Sequence, residues 1–280
     1  AAPEAVAPDI GAGEHAARPL LVMVPGHGRA SRSATLLGSL STILAGPWPT
    51  GGQPRCLVFL YGSAQEFLES ADVRELRAKL GCTVERRPSG MFMEFLADPA
   101  AAAALRRVGP EFVMLLLDDI ALAHPTHPVE TATLLDVMRR NRLDVASPAL
   151  VGTHLSYDGM RPAHLRRLGA AGRLVSFLEW QAPVFTREAF EVLCRMVRPR
   201  LSRSWGYDEL FPGAFRAKIG RAPRMALIDS MHATHTGPWL ASTTMREEEV
   251  YREEQALVSF YLRSFNISPE PIRMRRGYVY

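Results

Sequence analysis

The sequence predicts an α/β fold with a mostly parallel central sheet flanked by helices. Three observations carry that expectation. Short apolar runs recur with helical segments between them, the β-α-β alternation of a parallel sheet. Residues 112–117 form a continuous apolar run that stops at Asp118-Asp119, which reads as a strand buried on both faces. Residues 20–24 are apolar and lead through Gly26-His27-Gly28-Arg29 into helical periodicity over 31–44. Strand, glycine turn and helix in that order open many nucleotide-binding units. The turn is not GxGxxG, so it also fits a plain glycine turn before any helix.

The remaining elements follow in order. A Pro/Gly loop at 46–54 leads to a second strand at 56–61. Residues 73–80 read as a helix, 82–86 as a short third strand and 91–108 as a helix containing an alanine run. Beyond the acidic pair come an amphipathic helix at 129–142 and a short strand at 144–146 leading into Ser147-Pro148-Ala149. Residues 153–172 hold Tyr157, Asp158, Arg161, His164, Arg166 and Arg167, and look like an insertion over a site. A strand at 174–179, helices at 187–197 and 208–219, a strand at 225–228 ending at Asp229, and a closing helix at 246–265 complete the chain. No repeat or interior linker calls for a second domain, so residues 18–280 are expected to form one domain. Residues 1–17 are Ala/Pro/Gly-rich, lack the charged start and apolar core of a signal peptide, and are expected to be a flexible arm.

Composition narrows the function classes. Hydrophobic content of 47% and charged content of 22% are ordinary for a soluble globular chain. No apolar run is long enough to span a bilayer. Cys56, Cys82 and Cys194 show no metal-ligand spacing and an odd count, and read as buried thiols. A cytoplasmic location follows from that reading. The net charge of +4 is carried almost wholly by arginine, since lysine occurs only at Lys79 and Lys218. Guanidinium groups suit phosphate recognition. No zinc finger or interleaved aromatic and basic stripe accompanies them, which disfavours nucleic acid and favours a small anionic substrate.

Four groups of residues could carry chemistry. In open α/β sheets ligands bind beyond the carboxyl ends of the strands. Asp118 and Asp119 lie there, desolvated and mutually repelling unless something positive sits between them. A hard divalent cation would answer that need, although an Asp capping a following turn also fits. Glu179-Trp180-Gln181-Ala182-Pro183-Val184-Phe185 sets a carboxylate and an aromatic beside a strand-ending proline. Trp205-Gly206-Tyr207-Asp208-Glu209 sets two carboxylates at a helix start, where the dipole alone would also favour them. His232-Ala233-Thr234-His235-Thr236-Gly237 supplies two imidazoles after a strand end. Acid, base and ligand types thus converge on strand ends and helix starts, as an active site requires.

The order of these motifs resembles the domain-of-unknown-function 707 family, a branch similar to the GT-A glycosyltransferases. The likeness covers roughly residues 57–238 and is most specific from Ser147 onward. The resemblance implies a GT-A-like single domain. It implies a metal-dependent sugar transfer from a nucleotide-sugar donor to a hydroxyl acceptor, a glycan or small molecule, with Mn²⁺ or Mg²⁺ as cofactor. Asp119 matches the last acid of the family's Asp-x-Asp-like motif and His235 its late histidine, so both are expected to hold the metal. Asp118 matches the middle position, nearer the donor, and Leu117 replaces the first Asp. Asp208 matches the base position of inverting members, and Glu179 a family Glu that serves the acceptor. Pro25, Gly26, His27, Gly28 and Arg29 would hold the nucleotide. Arg29, Arg161 and Arg166 are candidates to assist the leaving group. A non-catalytic nucleotide- or carbohydrate-binding module is the alternative, and a metal-dependent hydrolase using Asp118, Asp119, His232 and His235 a weaker one.

Overall fold

The computed structural model describes residues 19–48, 52–61, 74–152, 158–163, 169–203, 205–236, 247–269 and 274–280. The arm at 1–17, Tyr157, His164, Arg166, Arg167 and Gly237 lie outside the described residues. The strands are β1 (Leu20–His27), β2 (Arg55–Leu60), β3 (Thr83–Arg86), β4 (Phe112–Leu115), β5 (Ile120–Ala121), β6 (Val145–Val151), β7 (Gly172–Val175), β8 (Val184–Thr186), β9 (Met225–His235) and β10 (Met274–Val279). The helices are α1 (Ser33–Leu44), α2 (Phe92–Leu96), α3 (Pro99–Val108), α4 (Thr131–Asn141), α5 (Arg187–Met196), α6 (Tyr207–Ile219) and α7 (Glu247–Phe265).

One sheet runs β10-β7-β9-β6-β8-β4-β1-β2-β3, with β5 attached to β9. β1 pairs in parallel with β2 and β4, and β2 in parallel with β3. β8 enters antiparallel between β4 and β6, and β6 pairs in parallel with β9. It follows that β1, β2, β3, β4, β6 and β9 share one direction, and their carboxyl ends line one edge. The core lies in this sheet: Val22, Met23, Val24, Val113, Met114, Leu115, Val145 and Ala146 are fully buried. Covered on both faces, these strands need no polar alternation. The chain therefore has the α/β architecture with a flanked central sheet that its apolar runs predict.

Several boundaries shift for local reasons. The helix expected over 91–108 is two helices, because Asp98 caps α3 by accepting from Ala100 N at 2.8 Å, with Pro99 in the first turn. Proline lacks the N–H that a continuous helix would need there. The helix expected at 73–80 is a π turn at Glu75–Lys79. β6 continues past Ala146 to Val151, through Pro148. Pairing with β8 ends at Ala146, and the β6–β9 register shifts between Pro148 and Ala149. The missing N–H of Pro148 thus falls at a bulge, where a sheet tolerates it. β7 begins at Gly172 and ends at Val175, so residues 176–179 leave the sheet. β9 runs on to His235 rather than stopping at Asp229.

The reading of three buried thiols is corrected. Cys56 and Cys82 form a disulfide with a Cα–Cα distance of 4.7 Å. Leu57 pairs with Thr83 in the β2–β3 register, so the residues before them are brought face to face. Cys194 is the one free thiol, and burial pushes it up to about 12, with Glu191 adding to the shift. The cytoplasmic expectation rested on reduced cysteines, and the disulfide removes that ground. Among the described residues no helix is long and apolar enough to cross a membrane.

Candidate functional site

The acidic pair sits where the chain leaves β4. Asp118 and Asp119 are both buried, at 6% and 3% exposure. Adjacent buried carboxylates need a counter-charge, and Arg32 supplies it. Its Nη1 donates to Asp118 Oδ1 at 2.8 Å, and its Nη2 lies 3.0 Å from Asp119 Oδ2. Arg32 is the N-cap residue of α1 and makes no side-chain cap bond. A Ser or Asp would cap that helix better, so this position serves the carboxylates rather than the helix. His27, at the end of β1, completes the group: its Nδ1 is 2.9 Å from Asp118 Oδ2 and its Nε2 is 3.2 Å from Ser33 Oγ.

Asp119 also faces the end of β9. Ile120 of β5 pairs with His235, and the N and Oγ1 of Thr236 donate to the Asp119 carbonyl at 2.9 and 2.8 Å. This register sets His235 Nε2 3.6 Å from Asp119 Oδ2, too far for a hydrogen bond. Asp119 Oδ1 is buried with no hydrogen-bond partner among the described residues. Burial holds the Asp119 carboxyl above its ordinary range, Arg32 and His235 oppose the shift, and Asp118 adds to it. An unpartnered carboxylate oxygen beside an imidazole is a donor set that a divalent cation fits. Gly152, at φ +128, lets β9 pass close by: a Cβ there would lie 2.8 Å from the His235 carbonyl oxygen.

The expected nucleotide turn is mostly strand. Pro25, Gly26 and His27 belong to β1, and Gly28 and Arg29 follow it. A Cβ on Gly26 would lie 2.9 Å from Phe95 Cε2, and one on Gly28 2.6 Å from Tyr61 Cζ. The glycines therefore admit aromatic rings against the backbone. The Tyr61 phenol is held above its ordinary range by burial and then by Asp118, with Arg32 and Arg29 opposing. Arg32 and Tyr61 escaped the sequence reading. Their signals were an arginine at the start of the first helix and an aromatic just past a parallel strand.

A second acidic group adjoins the first. Leu117 N donates to the Gln181 carbonyl at 3.1 Å, so residues 179–181 run alongside the acid pair. Trp180 packs edge-on to Phe185 of β8 at 5.8 Å and Phe211 of α6 at 5.9 Å. This fixes Glu179 near the start of α6, where Gly206 takes φ +83 and Asp208 and Glu209 fill the first turn. Asp208 is only partly covered from solvent but closely surrounded, and its carboxyl is pushed up to about 8 by burial, then by Glu209 and Glu179. A helix start favours the carboxylate; the two neighbouring acids and burial outweigh it. Such a carboxyl can exchange a proton near neutral pH. Of the arginine candidates, Arg29 is exposed and Arg161 pairs with Asp158 at 3.0 Å near the surface. Asp229 pairs with Arg173 in a buried ion pair and accepts from Ala163 N at 2.8 Å, a structural role.

Solved structures share this architecture. The chain is similar to GalNAc-T7 in a complex with UDP, GalNAc and Mn²⁺, at 12% identity over 88% of this chain and 51% of that one, with a TM-score of 0.56. It is also similar to the mannosyltransferase PcManGT from Pyrobaculum calidifontis in complex with GDP-Man and Mn²⁺, at 16% identity over 96% of this chain and 69% of that one, with a TM-score of 0.50. The fold is GT-A-like. The chain spans about half the length of the first of these structures. No family model matches the chain, and no curated protein matches it in sequence.

Proposed function

We propose that this protein is a metal-dependent glycosyltransferase that moves a sugar from a nucleotide-sugar donor to a hydroxyl acceptor, a glycan or small molecule. One observation carries the reading. Asp118, Asp119 and His235 meet at the carboxyl edge of the sheet, with Asp119 Oδ1 buried and unpartnered and His235 Nε2 3.6 Å from Asp119 Oδ2. Both similar structures named above hold a nucleotide and Mn²⁺. The domain-of-unknown-function 707 likeness rests on the quoted motifs alone.

In this reading Asp119 and His235 hold Mn²⁺ or Mg²⁺, and the imidazole favours manganese. When bound, the cation neutralises charge that grows on the departing diphosphate. Asp118, fixed by His27 and Arg32, orients the donor sugar. Residues Pro25 to Arg29, with the Tyr61 ring beside them, take the nucleotide. Arg32 holds the two acids in place through charge-assisted contacts. The bond from the sugar's anomeric carbon to the diphosphate oxygen breaks through an oxocarbenium-like state. A new bond forms to the acceptor oxygen, whose proton passes to Asp208. Glu179 contacts the acceptor and keeps Asp208 basic. Attack from the side opposite the leaving group inverts the anomeric centre.

Leu117 in place of a first acid supports the alternative, a non-catalytic nucleotide- or carbohydrate-binding module on the same fold. Donor hydrolysis with water as acceptor separates the two. Asp208→Asn should slow that hydrolysis by about 10²–10⁴-fold while leaving donor binding, measured by calorimetry, nearly unchanged. Equal loss of binding and turnover would refute the role given to Asp208.

A further inference from the structure

His124, His127 and His232 form a second imidazole cluster, and the glycosyl-transfer reading makes no use of it. One ring nitrogen from each lies within 4.8 Å of the other two. The His127 and His232 rings stack at 4.3 Å between centroids, and His124 meets His232 edge-on at 4.9 Å. His124 and His232 are half-buried, and His127 faces solvent.

The chain builds this cluster deliberately. His124-Pro125-Thr126-His127-Pro128 is a loop following β5. It is closed at its base by Val129 N donating to the Leu122 carbonyl at 3.0 Å, with both side chains buried. Two prolines restrict the loop before any ligand arrives. His232 N donates to the His127 carbonyl at 2.8 Å, which docks the loop on β9. Side chains alternate along a strand, so His232 and His235, three apart on β9, face opposite ways. The cluster is therefore separate from the Asp119–His235 pair.

We propose that His124, His127 and His232 form a binding site for a borderline-soft divalent cation, Zn²⁺, with water in the fourth position. Three neutral imidazoles and one open position are a donor set that zinc favours, whereas Mg²⁺ and Ca²⁺ prefer oxygen. Two of the rings have one nitrogen engaged by a protein group, which leaves the other for a cation. His232 Nε2 donates to the Asp229 carbonyl at 3.1 Å, and His127 Nδ1 lies 2.8 Å from Thr126 Oγ1. Metal-bound histidines are held in this way. His124 Nδ1 has contacts with the Thr126 hydroxyl at 3.3 Å and with the N–H groups of Thr126 at 3.4 Å and His127 at 3.2 Å. In an exposed loop the ring can exchange these for the cation or turn over. The ion would staple the loop after β5 to β9, the strand that carries His235, and β5 itself follows directly on Asp119.

The test is titration of the full chain with Zn²⁺ alone, by calorimetry, in the Asp119→Ala background, so that the candidate donor site contributes nothing. The expected result is one Zn²⁺ per chain, with affinity falling at least tenfold in His127→Ala and in His232→Ala. His127 is exposed, so its removal does not threaten the fold, and circular dichroism checks this. Co²⁺ in place of Zn²⁺ should give the intense visible absorption of a tetrahedral nitrogen-rich site. Absence of Zn²⁺ binding, or binding unchanged in His127→Ala, overturns the proposal without touching the glycosyltransferase reading.

Discussion

Arg32 answers at residue scale the question that the acidic pair poses. Two adjacent buried carboxylates require a cation, and the chain supplies one of its own. The pair therefore does not by itself demand a metal; the proposed metal site rests on the unpartnered Asp119 Oδ1 and its approach to His235. Arg32→Met leaves both acids without a guanidinium and should cost about 3–5 kcal/mol in metal-free stability. Urea unfolding with and without Mn²⁺ checks this, and the account expects Mn²⁺ to restore part of the loss. Asp208 gives a second prediction. Its carboxyl titrates at about 8 in the folded protein, against an ordinary value of 3.8. Between those values the folded state keeps a proton that the unfolded state has lost, so this group's contribution to stability falls as pH rises. Asp208→Asn should therefore raise Tm more at pH 8 than at pH 5. A base of this kind must lose its proton first, so donor hydrolysis should climb with pH through about 8, and the climb should vanish in Asp208→Asn.

At the scale of elements, the apolar runs made β1, β2 and β4 legible, because a strand buried on both faces shows itself in its own residues. What lies beside what was hidden. β8 slips antiparallel between β4 and β6, and residues 179–181 thereby come alongside Leu117. No local signal records such pairings. The Asp98-Pro99 break in the helix expected over 91–108 was readable from capping chemistry but masked by the alanine run. The Cys56–Cys82 bond depended on β2 and β3 being neighbours, which their spacing in the chain does not state. Replacing both cysteines by serine should lower stability by about 2–4 kcal/mol, read from the shift in urea midpoint. Gly152→Ala forces a Cβ to 2.8 Å from the His235 carbonyl oxygen at a positive φ. It should destabilise the fold by about 1–3 kcal/mol and weaken Mn²⁺ binding more than a neutral core change of equal cost.

On the scale of the whole molecule, the candidate site is one edge of one sheet. Six strands share a direction, so His27, Asp118, Asp119 and His235 arrive together from the ends of β1, β4 and β9. The acid and ligand types were legible in sequence because each stands at a strand end. Arg32 and Tyr61 were not, since their importance exists only once β1, β2 and β4 are side by side. The fold is GT-A-like, and Asp119 Oδ1 is buried at this edge without a hydrogen-bond partner among the described residues. The deciding measurement is calorimetric binding of UDP- and GDP-sugars to the wild type and to Asp119→Ala, each with and without Mn²⁺. The account predicts that one donor binds only with Mn²⁺ and that Asp119→Ala abolishes the metal dependence. Donor binding of equal strength without Mn²⁺, or unchanged in Asp119→Ala, would contradict it.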